Sequence, residues 1–516
     1  WHTLSLHDAL PIYYEPWYNA DGSQYANSTP TGALHNPALP GVGSVNLTAQ
    51  QSYDRWRRWV GSWDDENSTV RNFWPITFYM YKGAGGTFST SSYVKYQIRG
   101  TSGFSRDLNG GTEAGVSNFT WPNGITRTVA EETQNFANWY TYYRSRVLAA
   151  RAGIGKAFAL QGETLRVGFG TINKSPSSVD GVSIRSIIRG VRSFSGAERE
   201  DFFDRLYGHP MPTSATPLRP ALQAAGTYFS RSDNAGPWGN TPGNNADSTS
   251  HLACRQSYTI LMTDGFWNST TSLSVGNSDG TSGPLITGPG GLSYQYSPVD
   301  PYQDGFSNTL ADVAMEYWKK DLRTDLANEV PVSPENPAFW QHMVTFGVGL
   351  GVEGAIDPDD AWAAVASGTA VNWGDPSGTA SIPEKLDDLL HAGINSRGGY
   401  FTASDPDTFA DRLSETIASI MERTDSSSSS VAANSTRLDA GTLVYQARFD
   451  SRDWSGQLLA YQVDSDGDGV GAVSDDCTDF DDDGFGDRGL PNNTCKPDFC
   501  PDRADRGRCQ ARVVPG

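Results

Sequence analysis

The chain lacks several features that would settle its class at once. No stretch of 18 apolar residues occurs among its 516, so it encodes no membrane-spanning helix. Positive charge is scarce. The 39 Lys and Arg face 59 Asp and Glu, and a net charge of −20 cannot neutralise a run of phosphates. Nucleic acid is therefore excluded as a partner, and divalent cations are favoured. The seven histidines form no His-Glu-x-x-His or comparable cluster, which leaves hydrolase and dehydrogenase chemistry without a site. Only five cysteines are present, with no Cys-x-x-Cys pair, so a zinc ribbon is excluded as well.

Two literal motif matches fail for want of context. Gly276-Asn-Ser278-Asp-Gly280 fits a nucleophile elbow but lies in a Gly/Ser loop, without the strand-turn-helix that strains such a serine. Gly349-Leu-Gly351-Val-Glu-Gly354 fits a dinucleotide loop, yet it falls late in the βα series and Pro358 interrupts the helix start. The expectation is a non-enzymatic protein.

What is present is Gly (55), Tyr (22), Trp (15) and Pro (29), a mix suited to a loop-rich secreted protein. The length allows two to four domains at roughly 150 residues each. Cys477, Cys495, Cys500 and Cys509 crowd the last forty residues among Asp and Asn, and read as disulfides of an oxidising compartment. Cys254 stands alone, and reads as a buried thiol or an orphaned disulfide partner rather than a nucleophile.

Six segments follow from composition and periodicity. Residues 1–12 share no character with the text after them and lack a signal peptide's features, so they read as a non-native leader. Residues 13–130 are aromatic and Asn/Gly-rich, with β-like runs at Phe73–Tyr81 and Tyr93–Ile98: a β-rich, irregular insertion. Residues 131–423 alternate helices and strands. Helices are expected at Asn138–Leu160, Ala197–Tyr207, Thr216–Phe229, Thr309–Leu326, Ala361–Ala366, Pro383–His391 and Asp405–Arg423. Strands are expected at Leu165–Ile172, Tyr258–Thr263, His342–Leu350 and Gly399–Thr402. Repeated βα units imply an α/β fold with a doubly wound, mainly parallel sheet. A Gly/Ser/Pro-rich loop spans about 269–306. Residues 424–437 form a Ser-rich linker, 438–463 a first hairpin of an all-β domain, and 464–516 an Asp/Cys-rich tail.

The strand Tyr258–Thr263 delivers Asp264 to its carboxyl tip, where ligands sit in open α/β sheets. Thr216, in SATPLRPAL (214–222), places a hydroxyl just before a helix. Hydroxyl, carboxylate and water together suit Mg²⁺ or Ca²⁺. A helix cap for Thr216 and a turn for Asp264 are the commoner alternatives. In the tail, Asp464, Asp466 and Asp468, then Asp479, Asp481 and Asp483, occupy positions 1, 3 and 5 of two loops with glycine at position 6. Asp475 falls at position 12 of the first loop and Asp487 at position 9 of the second, which reads as Ca²⁺ coordination. Neither loop has the bidentate Glu of a helix-loop-helix hand, and the pattern resembles thrombospondin type 3 calcium repeats. A disordered acidic tail is the alternative.

Several phrases carry a broader resemblance: YYEPWYNADGSQYANSTPTGAL (13–34), NFANWYTYYRSRVLAARAGIGKAF (135–158), LRVGFGTIN (165–173), TPLRPAL (216–222), CRQSYTILMTDGFWN (254–268), LADVAMEYWKKDLRTDL (310–326), MVTFGVGLGVEG (343–354) and LDAGTLVYQARFDSRDWSGQLLAYQVD (438–464). Together they resemble the PilY/PilC family of type IV pilus tip-associated proteins, over roughly 13–464. The resemblance implies a von Willebrand factor A-like domain followed by the start of a β-propeller. It further implies an extracellular place at the pilus tip, with pilus subunits and a surface receptor as partners. The family's A-domain opens with a strand ending in Asp-x-Ser-x-Ser, absent here, so Thr216 and Asp264 are expected as a remnant metal site. The competing reading is a non-adhesive, calcium-stabilised structural module.

Overall fold

A computed structural model describes residues 13–462 apart from 54–55, 60–62, 67–70, 82–88, 101–103, 109–110, 117, 121–124, 211–214, 264–265, 269–272, 379–381, 404–405, 426–428, 434–442 and 451–454. The chain divides into two compact units, Trp1–Val330 with Ala338–Ile417, and Pro331–Pro337 with Ala418–Gly516.

Residues 13–130 contain an antiparallel meander of β1 (Thr77–Tyr81), β2 (Tyr93–Ile98), β3 (Phe104–Leu108) and β4 (Gly111–Val116). The run expected over Phe73–Tyr81 is split around Pro75, which cannot donate to a ladder: Phe73 closes the strand Arg71–Phe73, and β1 begins at Thr77. The segment after Tyr13 is anchored by Trp17, which is fully buried and stacks on Tyr207 with ring centroids 4.4 Å apart. Its indole Nε1 donates to Tyr142 O (3.0 Å), and Tyr207 donates to Tyr18 O (2.7 Å).

Where one helix was expected over Asn138–Leu160, there are two, α1 (Val129–Tyr142) and α2 (Arg146–Ala159). Local capping divides them. Thr128 and Glu131 form a reciprocal capping box at the start of α1, and Ser145 Oγ accepts from Leu148 N (3.3 Å) to start α2. Beyond α2, β5 (Arg166–Gly170) pairs antiparallel with β6 (Ile187–Ser193). The connection between them folds into a hairpin of its own, Ser177–Val179 against Val182–Ile184, and not into the crossover helix that parallel pairing uses. The sheet element expected at Leu165–Ile172 therefore belongs to an antiparallel pair. Helices α3 (Gly196–Gly208) and α4 (Leu218–Phe229) follow.

The parallel sheet consists of β7 (Tyr258–Thr263), β8 (Val344–Leu350) and β9 (Gly399–Ala403), in the order β7-β8-β9. Central β8 is buried along six of its seven residues, as a strand covered on both faces must be. Helix α5 (Leu310–Trp318) is half the length expected. It ends at Trp318 with Lys319 as its C-cap, and further on Asp321 Oδ1 accepts from Arg323 N (2.9 Å) in a turn outside the helix. Helices α6 (Pro358–Ser367), α7 (Ile382–Asn395) and α8 (Pro406–Asp425) complete the series. Pro358 does not break α6 but opens it, with Asp357 as the cap accepting from Asp359 N (2.9 Å). Two further expectations are corrected. Cys254 is exposed rather than buried, because it sits in the turn before β7 and not in the strand. The Ser-rich segment is not all linker, since β10 (Ser429–Ala433) pairs with β11 (Leu443–Asp450), itself paired with β12 (Ser455–Gln462).

His342, just before β8, is fully buried, and burial pushes its pKa down to about 4. The folded state thus binds fewer protons than the unfolded chain between pH 4 and about 6.5. This group's contribution is present above pH 6.5 and is lost as pH falls, by at most about 1.4 kcal/mol per pH unit. Thermal unfolding followed by circular dichroism should show wild type losing Tm more steeply over that window than His342→Gln.

Candidate functional site

Two groups of side chains merit attention. The first lies at the carboxyl end of β7, where Thr216 and Asp264 were expected to meet. Asp264 lies outside the described residues. Thr216 N donates to Asn268 Oδ1 (2.6 Å) and Asn268 N donates to Thr216 O (3.3 Å), so the loop leaving β7 is tied to the residue just before α4. Thr216 is half-buried, and the cap position of α4 belongs to Pro217, with no side-chain cap bond. The neighbouring Trp267 is held on several sides. Arg219 lies 3.9 Å from its ring centroid, Lys385 lies 4.9 Å away, and its Nε1 donates to Asp388 Oδ2 (3.0 Å).

Asp388, on α7, is buried, and it accepts from Leu310 N and Ala311 N (both 2.9 Å) at the start of α5. Burial pushes its carboxyl above the ordinary carboxylate range, while the three N–H donors and His391 act to keep it charged. A negative charge at a helix N-terminus also meets the positive end of the macrodipole. One carboxylate thus joins the β7 exit loop, α5 and α7. The adjacent Asp387 accepts from Ala355 N (3.2 Å) and Ile356 N (3.1 Å). Those amides follow the glycine-rich turn after β8, and a carboxylate already occupies the donors a phosphate would need.

The second group was not read from the sequence. Asp279, in the Gly/Ser loop, is fully buried beside Asp304 and His391, and one donor atom from each lies within 4.8 Å of the others. His391 Nδ1 is 3.5 Å from Asp304 Oδ2, and Nε2 is 3.9 Å from Asp279 Oδ2. His391 Nε2 also lies 3.0 Å from Tyr302 O, and its ring stacks on Trp373 at 4.0 Å. Asp279 Oδ1 accepts from Asp304 N (3.2 Å), and its Oδ2 accepts from Asn395 Nδ2 (2.9 Å). Burial raises Asp279 to about 7, with Asp312 and Asp304 adding and His391 opposing. Asp312 is raised to about 6 by burial, against hydrogen bonds from Thr309 and Ser278. For His391, burial acts downward, but Asp304 and Asp279 prevail and its pKa rises. Ser278, of the discarded elbow match, is buried and donates to Glu316 Oε2 (2.9 Å). The available signal was His391-x-x-x-Asn395, which a helix places on one face.

The calcium-loop residues Asp464, Asp466, Asp468, Asp475, Asp479, Asp481, Asp483 and Asp487, and the four clustered cysteines, lie outside the described residues.

Comparison with known proteins gives these side chains a context. No protein-family model matches the chain, and no solved structure does. Curated relatives do match. The chain is 32% identical over 413 residues, 74% of its length, to the type IV pilus biogenesis factor PilY1 of Pseudomonas aeruginosa strain PAK. Proteins of the same name from strains PAO1 and UCBPP-PA14 match at 33% over 363 residues and 32% over 365, or 64% and 65% of this chain. These matches are consistent with a PilY/PilC-family protein, which the quoted phrases resemble. The chain spans about a third of the length of these relatives (34%, 30% and 30%).

Removing Asp388 strands two helix-terminal amides and an indole N–H in a dry interior, at about 1–3 kcal/mol per unsatisfied donor. Asp388→Ala should lower the urea midpoint far more than Asp388→Asn, which keeps one carbonyl acceptor.

Proposed function

We propose that this chain is part of an extracellular type IV pilus biogenesis and adhesion protein. The observation carrying this reading is the 32% identity over 413 residues to a protein named as a type IV pilus biogenesis factor. In this reading the parallel sheet β7-β8-β9 and its helices belong to a von Willebrand factor A-like domain. Partners then bind at the carboxyl ends of the strands, where open α/β sheets hold ligands. The tie between Thr216 and Asn268 supports it, because it holds a hydroxyl-bearing residue against the loop that carries Asp264. A divalent cation bound there by Thr216, Asp264 and water would bridge to a carboxylate of the partner. The partners are pilus subunits and a surface receptor, and the place of action is the pilus tip or outer cell surface. The β-rich insertion shapes the binding surface. The acidic tail, through Asp464, Asp466, Asp468, Asp475, Asp479, Asp481, Asp483 and Asp487, takes up Ca²⁺ and stiffens a stalk. β11 and β12 form the opening hairpin of a β-propeller.

The test is binding of the purified chain to isolated type IV pili, measured by co-sedimentation with Mg²⁺ and then with chelator. Binding should fall at least tenfold on chelation and equally in Asp264→Ala, with the circular dichroism spectrum unchanged. Binding that survives both treatments would replace the adhesive reading with that of a calcium-stabilised structural module.

A further inference from the structure

We propose that Asp279, Asp304, His391 and Asn395 form a buried site for a single divalent first-row transition cation. The site is separate from the residues discussed for adhesion, and it joins the loop over 276–304 to helix α7.

The argument begins with the cost of the arrangement. Two carboxylates and an imidazole taken out of water in one place are destabilising unless something of opposite charge joins them. His391 supplies one such charge only when doubly protonated. Its Nε2 already has an acceptor in Tyr302 O at 3.0 Å. A histidine that ligates a metal through one nitrogen commonly donates its other N–H to a backbone carbonyl in this way. The stacked Trp373 ring fixes the imidazole plane, so Nδ1 is left facing Asp304 Oδ2 at 3.5 Å. That separation is long for a hydrogen bond. Two ligands each about 2.1 Å from one tetrahedral or octahedral cation lie roughly 3.0–3.4 Å apart.

Asn395 supplies the independent observation. It is fully buried, one helical turn beyond His391, with its amide head on Asp279 (Nδ2 to Oδ2, 2.9 Å). Its Oδ1 accepts no hydrogen bond among the described residues. A buried amide oxygen without a donor is uncommon in a native interior. A half-turn of the amide exchanges its nitrogen and oxygen. The oxygen would then face Asp279 Oδ2, 2.9 Å from the present Nδ2, and Ala311 O, 3.4 Å from it. Two acceptors tolerate that contact only across a cation or a shared proton. Three oxygen donors with one imidazole favour Mn²⁺ or Zn²⁺ over the all-oxygen preference of Ca²⁺.

The test uses the full chain, stripped with chelator and held in excess Ca²⁺ so that the all-oxygen tail loops are filled. Co²⁺ serves as a spectroscopic probe, titrated by calorimetry and visible absorption. One equivalent should bind with ligand-field bands, be displaced by Zn²⁺, and raise Tm. Asp304→Asn, the least buried of the four positions, should weaken binding at least tenfold while keeping the circular dichroism spectrum, and His391→Gln should abolish the bands. The proposal is overturned if wild type takes up no Co²⁺, or if both variants bind it as tightly as wild type. Should the variants not fold, a wild-type Tm that is the same after chelation and after Co²⁺ addition overturns it equally. In any of those outcomes protons alone hold the cluster.

Discussion

The first unit depends on one buried carboxylate. Asp388 has no water to answer its charge, and it survives in the interior because three N–H groups converge on it from two other parts of the chain. Each donor would itself be stranded without it. The start of α5, the indole of Trp267 and the middle of α7 are therefore placed by mutual need rather than by shape alone. The position of the β7 exit loop follows, because Trp267 sits next to the residue that is tied to Thr216.

Much of this was legible in the sequence. β7 runs over the residues its apolar, β-branched text implied, and the meander contains the strand expected at Tyr93–Ile98. Those elements are set by periodicity, a local property. What the sequence concealed is set by single contacts. Ser145 divides a continuous amphipathic pattern into two helices with one hydrogen bond. α5 ends at Trp318 although the periodicity runs on to Leu326, and a turn held by Asp321 follows it. The Ser-rich run over 424–437 has a linker's composition, yet Ser429–Ala433 finds a ladder partner fifteen or so residues away in sequence.

The largest omission was the loop over 269–306. Its glycine, serine and proline content reads as open and solvated, and nothing periodic marks Asp279 as interior. Burial comes from partners within the loop and beyond it: Tyr296 donates to Asp279 O (2.7 Å), and Lys319 Nζ reaches Thr281 O (2.9 Å). The carboxylate is enclosed because distant segments saturate the polar atoms of the loop around it. A single sequence carries the donors and acceptors but not their pairing. Asp264 and Thr216, by contrast, could be singled out because each sits at the end of a regular element, where a strand tip or helix start announces itself.

The second unit has a mechanical consequence. In β11 and β12 alone, chain entry at Leu443 and exit at Gln462 lie side by side, since those residues pair. Tension along the backbone would open such a hairpin like a zip, one rung at a time. β10 alters the geometry of loading. It begins at Ser429, opposite Arg448, so the chain now enters at the turn end of the ladder and leaves at the other. Force drawn through Ser429 and Gln462 acts in shear, on many rungs together. A five-residue strand in a serine-rich stretch thus turns a weak fastening into one that resists a pull.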